Sequence, residues 1–188
     1  MNEDTARSEK GVLQQTRNWL ETVIIQHNFC PFAQHEFAND RIHFEVCSTS
    51  DMQSCLELVI TECVRLDCNR DIATTLIIFT DIVSEFEAFL DLVDMANDLL
   101  RLQGYEGIYQ LAHFHPDYRF AGAENNDAAN YTNRSPWPML HLLRETDVEQ
   151  AITYYKDTAK IPERNIDQAR QLGRVYFETI LENIKAEK

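Results

Sequence analysis

The chain has 188 residues, 31 acidic against 17 basic side chains and a net charge of -14, with 44% apolar and 10% aromatic residues. That length and composition suit a single domain with a full hydrophobic core and exclude wholesale disorder. Such acidity disfavours nucleic acid and anionic membrane surfaces as partners, because both are recognised by Lys and Arg neutralising phosphate.

Residues 1–10, MNEDTARSEK, have no apolar segment of the kind a secretory signal needs, and are expected to be disordered. Val12, Leu13, Trp19, Leu20, Val23 and Ile24 then recur at helical spacing and predict an amphipathic helix over about 10–27. It should end at Asn28-Phe29-Cys30-Pro31, since the residue before proline is pushed out of helical geometry, and Pro31 starts a short second helix to about Ala38. Ile42, Phe44 and Val46 alternate with His43, Glu45 and Cys47, the pattern of a half-buried strand. Ser50-Asp51-Met52-Gln53 has the form of a capping box and opens a helix burying Cys55, Leu56, Val59, Ile60 and Cys63.

Thr74–Phe79 is an unbroken apolar, β-branched run, as expected of a central strand covered on both faces. Ser84–Glu87 reads as a second capping box for a helix that Gly104 stops, and a third strand follows over about Ile108–Phe114. Beyond a long polar segment, Thr146-Asp147-Val148-Glu149 caps a helix to about Tyr155. A final helix is predicted from Pro162 to about residue 186, buried through Ile166, Ala169, Leu172, Val175, Tyr176, Ile180 and Ile184. The fold class read from this order is α/β: one domain with a short, mainly parallel β-α-β-α-β sheet and additional helices at both ends.

No apolar run approaches the roughly 18 residues of a membrane span. The five cysteines are an odd number and include no Cys-x-x-Cys pair, which fits reduced thiols and a cytoplasmic location better than a zinc ribbon.

Ligands of open α/β sheets bind beyond the carboxyl ends of the strands. Here those ends are Cys47–Ser50, Thr80-Asp81 and His115-Pro116-Asp117, and they should meet where the polar segment begins. That segment, from Tyr109 to Glu145, holds three of the six histidines and six of the aromatic side chains at 109, 114, 118, 120, 131 and 137, enough to pack itself down as functional loops do.

Three stretches, NFCPFA from Asn28, YQLAHFHPDYRFAG from Tyr109 and NYTNRSPWPMLHLLRE from Asn130, resemble an uncharacterised, mainly bacterial family catalogued as a domain of unknown function. The resemblance covers nearly the whole chain and implies a shared fold and site, but no reaction, substrate or cofactor. It carries His115, Asp117, Arg134 and His141. At His113 the family pattern usually has serine.

Three constellations carry possible chemistry. His113-Phe114-His115-Pro116-Asp117 has the His-x-His-x-Asp form of strand-end metal ligands, with His141 and Glu145, four apart on a predicted short helix after Pro138, as further ligands; the alternative is histidines hydrogen-bonded to tie a loop together. Arg134 and Arg144, with Asn130, Asn133 and Ser135, would suit an anion pocket, or would pair internally, Arg144 with an acid and Arg134 with loop carbonyls. Cys30 before Pro31 would sit at a helix N-terminus that favours thiolate, beside His27, His115 or His141, or would be a buried, inert thiol; His35 and His43 read as surface residues.

The function these residues favour is a small-molecule enzyme with a His/Arg/Asp pocket for an anionic substrate. His115 or His141 would act as acid–base, Asp117 or Glu145 would orient it, Arg134 and Arg144 would bind substrate, and Cys30 would be an optional nucleophile. Arginines beside a dication are unfavourable, so no bound metal is expected, and phosphate should raise the melting temperature through Arg134. The alternatives are a metal-dependent hydrolase using His115, Asp117 and His141, and a non-catalytic ligand- or protein-binding module. A homodimer fits the length of the last helix without being required by it.

Overall fold

The computed structural model of the protein describes residues 8–154 and 158–186. Most of the stretch expected to be disordered, residues 1–7, lies outside them. Glu9 and Lys10 do not fit that expectation: they open helix α1 (Glu9–Trp19), whose first turn is capped by Ser8 Oγ accepting from the Gly11 amide at 3.2 Å. The helix widens into a π-helical stretch over Leu20–Ile25, where the Gln26 amide reaches back five residues to the Glu21 carbonyl. Asn28, at φ 53°, turns the chain out of it.

Next come α2 (Ala33–Ala38), β1 (Ile42–Cys47), α3 (Met52–Cys68), β2 (Thr74–Phe79), α4 (Phe86–Leu102), β3 (Tyr109–Phe114), β4 (Met139–Arg144), α5 (Glu145–Tyr154), α6 (Ile161–Leu172) and α7 (Arg174–Ala186). The caps differ from the predicted boxes. Asp51, not Ser50, caps α3 by accepting from the Ser54 amide at 2.8 Å. No side chain caps α4, and α5 has already begun at Glu145. The predicted last helix is two, because Gly173 at φ 84°, ψ 156° takes a conformation that other residues avoid. The break rotates Leu172 and Val175 outward, to 39% and 68% exposure, instead of burying them.

All four strands form one sheet in the order β1-β2-β4-β3. Only β1 and β2 pair in parallel; β4 is antiparallel to both β2 and β3. The sheet is therefore mixed, and the expectation of a mainly parallel sheet fails because the short helix expected after Pro138 is instead the antiparallel strand β4. Its sequence MLHLLR explains the misreading: it has no β-branched residue and is rich in helix formers, and pairing on both sides overrides that local preference. The insertion leaves β1, β2 and β3 running the same way, so their carboxyl ends do lie along one edge. As expected, β2 is buried along its whole length.

Each face of the sheet carries a core. On one, Ile77, Phe79, Leu140 and Leu142 meet Val59, Cys63 and Leu66 of α3 and Phe89, Leu92 and Ala96 of α4. On the other, Leu76, Ile78 and Met139 meet Val12 and Trp19 of α1, Tyr131 of the loop, and Ala169, Phe177 and Ile184 of the last two helices. Each large apolar side chain so buried contributes roughly 1.5–3 kcal/mol. Among the described residues, no helix is long and apolar enough to cross a membrane.

Candidate functional site

The connection 115–138 between β3 and β4 folds back on the strand ends and bonds to itself. His115, fully buried, packs at a tilt against Phe86 and Phe89 with ring centroids at 5.3 and 5.1 Å. Its Nδ1 accepts from the Asp117 amide at 3.0 Å, which leaves the proton on Nε2 to be donated to the Val83 carbonyl at 3.2 Å. Burial pushes its pKa below the usual histidine value, against the raising effect of the Val83 bond. Val83 stands just past β2 in a left-handed conformation, φ 57°, unfavourable for a β-branched residue. The His115 ring thus ties the end of β3 to a strained turn after β2. Neither ring nitrogen is left for a metal or a proton transfer.

Arg134 is equally committed. Its Nε donates to the Tyr118 carbonyl at 3.1 Å, its Nη2 donates to the Asn125 carbonyl and Oδ1 at 2.9 Å each, and its guanidinium lies 4.7 Å from the Tyr131 ring centre. Asn130 Oδ1 accepts from the Phe120 amide and its Nδ2 donates to the Glu124 carbonyl. Asn133 accepts the His115 amide on its main-chain oxygen and the Thr132 hydroxyl on its side chain, and Ser135 Oγ donates to the Trp137 carbonyl at 2.6 Å. Trp19 of α1 fastens this knot to the second core by donating to the Arg134 carbonyl at 2.8 Å. Asp117 is exposed, and among the described residues its carboxylate makes no hydrogen bond or ion pair.

The remaining predicted residues lie elsewhere. Phe114 pairs with Met139 and Tyr109 with Arg144, so Arg144 and Glu145 sit a full strand from the loop, about 17 Å at the usual rise. Arg144, 4% exposed, donates from Nη1 to the Ile72 and Ala73 carbonyls and from Nη2 to those of Leu66 and Asn69, with Asp147 at 3.6 Å. It closes the C-terminus of α3 onto the start of β2.

His141 is on β4, not on the predicted helix, which also places Glu145 beyond the strand rather than one turn away. Its side chain shares the sheet face of Met139, whereas the His115 ring packs in the opposite core, so the two imidazoles cannot meet one ion. The His141 ring lies half-buried with Phe114 at 6.2 Å and makes no hydrogen bond among the described residues; burial pulls its pKa down to about 4. His113 stays on the His115 side, near Phe89 and Tyr118, and its pKa is likewise lowered by burial.

Cys30 departs from the thiolate expectation. It packs at the margin of the second core and α2 starts only at Ala33, so burial pushes the thiol up more strongly than the Phe32 and Ala33 amides pull it down. No histidine bonds it among the described residues. His27 instead binds the Val23 carbonyl and the Tyr176 hydroxyl.

A second polar cluster escaped the sequence reading. His43 and Glu45 of β1 face α3 rather than solvent, and His43 Nε2 lies 3.0 Å from Glu45 and 3.7 Å from the fully buried Glu62 carboxylate. Three such ligand atoms are close enough to hold a cation. Arg65 already fills that role: its Nε bonds both Glu62 oxygens at 2.9 and 3.0 Å, and Nη2 reaches Glu45 at 3.5 Å. A dication there would meet a guanidinium, so the group reads as an internal charge network. One signal was legible, since Glu62 falls on the buried stripe of Cys55, Val59 and Leu66. A recess of about 230 Å³ lies nearby at the β1 edge, where Arg17 stacks on Phe44 at 4.5 Å and pairs with Asp40 at 3.5 Å.

No curated protein and no solved structure matches the chain. A family match does exist, and it runs from α1 into α7 across every strand and the whole 115–138 connection. Over residues 11–179 the chain fits the family described as Protein of unknown function (DUF1415), and it belongs to that family.

Proposed function

We propose that the chain is a non-catalytic binding module, a single α/β domain in which the polar loop is scaffold rather than pocket. One observation carries this reading: the side-chain polar atoms of His115, Asn130 and Ser135, and Nε and Nη2 of Arg134, bond to the chain's own main chain or to Asn125. A site built to take an anion keeps guanidinium donors turned toward the ligand, whereas Nε and Nη2 of Arg134 are spent before any ligand arrives. The two arginines also stand at opposite ends of the sheet, so they cannot clamp one small molecule.

The test is a thermal melt in inorganic phosphate and in sodium chloride of equal ionic strength. The two curves should coincide, and Arg134→Ala should melt lower by the same amount in both. A rise specific to phosphate that Arg134→Ala abolishes would restore the anion-binding enzyme.

His141 favours a second reading, a small-molecule site on the other face of the sheet. An imidazole held neutral near apolar walls, with no hydrogen-bond partner among the described residues, can accept a hydrogen bond from a ligand. Ring chemical shifts of His141 that move on titration with a fragment library would support that reading over the first.

A further inference from the structure

The layer formed by α3 and α4 leaves an apolar row open to solvent between rims of acid. The two helices lie side by side on one face of the sheet. At roughly 3.6 residues per turn, Met95, Leu99 and Leu102 of α4 fall along one side of that helix, and Glu87, Asp91, Asp94 and Asp98 along the side next to it. Arg119, past the end of β3, lies 3.9 Å from Glu87, and Asp94 acts on the charge of His113 in β3. The acidic side therefore leans toward β3 and the apolar side toward α3. There α3 meets it with Val64. Glu62 and Arg65 turn toward His43 and Glu45 of β1, whereas Asp67 turns the other way, to the hydroxyls of Tyr105 and Tyr109. Val64 stands one turn after Ile60 and one before Asp67, which puts it on the α4 side.

Exposure separates this row from the core beneath it. Val64 is 48%, Met95 38% and Leu102 82% exposed, while Cys63, Leu92 and Ala96 of the same helices are buried. Single apolar side chains scattered over a surface need no explanation, but these line up on adjoining helices. The charge around them is one-sided. Each helix has one basic residue, and both are taken: Arg65 by Glu62 and Glu45, Arg101 by Asp98. Glu57, two turns before Val64, and Asp91 and Asp94 on α4 are exposed and make no ion pair among the described residues.

We propose that this groove docks a basic amphipathic helix of a partner protein, its apolar side seated on Val64, Met95, Leu99 and Leu102 and its Lys or Arg residues facing Glu57, Asp91 and Asp94. Each helix runs from the carboxyl end of one strand to the start of the next, so α3 and α4 run alike and leave a groove along their length. A third helix fills such a groove ridge by ridge. Apolar contact alone would admit any apolar segment; the acid on both rims selects the sign. A second copy of the chain would bring its own acids against these, with -14 on each side. Nucleic acid and anionic lipid are repelled for the same reason. The contact runs for about two helical turns, roughly 10 Å, which makes the complex weak and sensitive to salt. A protein partner rests on the binding-module reading, but the groove includes neither His115 nor Arg134. A phosphate-specific rise in the melt would overturn the module without changing what the groove binds.

The probe is a labelled synthetic peptide of about 14 residues with leucine at the a and d positions of two heptads and lysine elsewhere, titrated by fluorescence anisotropy. It should bind with a Kd below about 100 µM in about 150 mM sodium chloride. A scrambled peptide of the same composition, and the same pattern with glutamate for lysine, should each bind at least about tenfold more weakly. Leu102→Ser with Val64→Ser should weaken the patterned peptide by about tenfold or more while keeping the wild-type circular dichroism. Asp91→Asn with Asp94→Asn should weaken it too and flatten its salt dependence. Should a variant fail to fold, methyl spectra of the wild type still decide: the Val64, Met95, Leu99 and Leu102 methyls should shift most on titration. Absence of binding, equal binding of the scrambled peptide, unchanged affinity in the folded variants, or methyl shifts centred elsewhere would each overturn the proposal.

Discussion

His141 shows what a single buried base does to the stability of the whole chain. It is neutral in the fold because burial pulls its pKa from the ordinary 6.5 to about 4. The unfolded chain therefore takes up the proton first as pH falls. Between about 6.5 and 4 the unfolded state holds more protons, so stability declines as pH drops through that window and this contribution stops changing below it. A displacement of that size corresponds to at most about 3 kcal/mol, less whatever the half-buried ring regains from solvent. His113 and His115 are lowered too and act in the same direction. Urea unfolding of wild type and His141→Leu at pH 7 and pH 4.5 separates its share. The variant should lose clearly less stability on acidification, and parallel losses in the two proteins would show that His141 does not carry the effect.

At the scale of elements, Arg144 does for α3 what no C-terminal glycine does. Its four bonds take the carbonyls of Leu66 and Asn69 at the helix end and of Ile72 and Ala73 at the entry to β2. Arg144→Ala would strand the buried Leu66 and Ala73 carbonyls, and open those of Asn69 and Ile72 to water, and should cost about 3 kcal/mol. Lysine should recover little, since an ammonium cannot span four oxygens. Denaturant melts give the total, and amide exchange should show the loss concentrated in the last turn of α3; a loss under 1 kcal/mol would mean that water replaces the guanidinium. Alternation exposed β1, an unbroken apolar run exposed β2, and helical spacing exposed the helices on either side of β2, because each has its burial written in its own residues. None of these exposed β4, whose leucines prefer a helix until β2 and β3 supply partners, or the break at Gly173, since a lone glycine can also sit inside a helix. The strand-end rule brought His115 and Arg134 into one knot but could not separate His141, because which face a side chain takes depends on a strand that was not seen. Whether a guanidinium is free or spent depends on loop carbonyls from Tyr118 and Asn125, and no spacing encodes that.

Over the whole molecule, the surplus of acid acts on the fold as well as on its partners. Thirty-one acidic side chains against 17 basic ones leave -14 to be held on a compact surface. Some of this charge is answered locally: Asp127 is held below the usual carboxylate range by Arg170 at 2.7 Å, and Glu62 is covered by Arg65. Elsewhere it is answered only in part. Along α4, Glu87, Asp91, Asp94 and Asp98 follow at spacings of three and four residues, on one exposed stripe, with Arg119 at 3.9 Å and Arg101 as the nearby cations. Like charges at that spacing repel by a few tenths of a kcal/mol per pair, and the repulsion is greatest where counterions are scarce. Raising sodium chloride from about 10 mM to about 300 mM shortens the screening length from roughly 30 Å to well under 10 Å. The melting temperature should therefore climb with salt, and the neutralised pair Asp91→Asn with Asp94→Asn should start higher at low salt and climb less. A wild-type melting temperature that falls with added chloride would mean that the ion pairs of Arg65 and Arg170 outweigh the repulsion, and the acidic stripe would then be energetically silent.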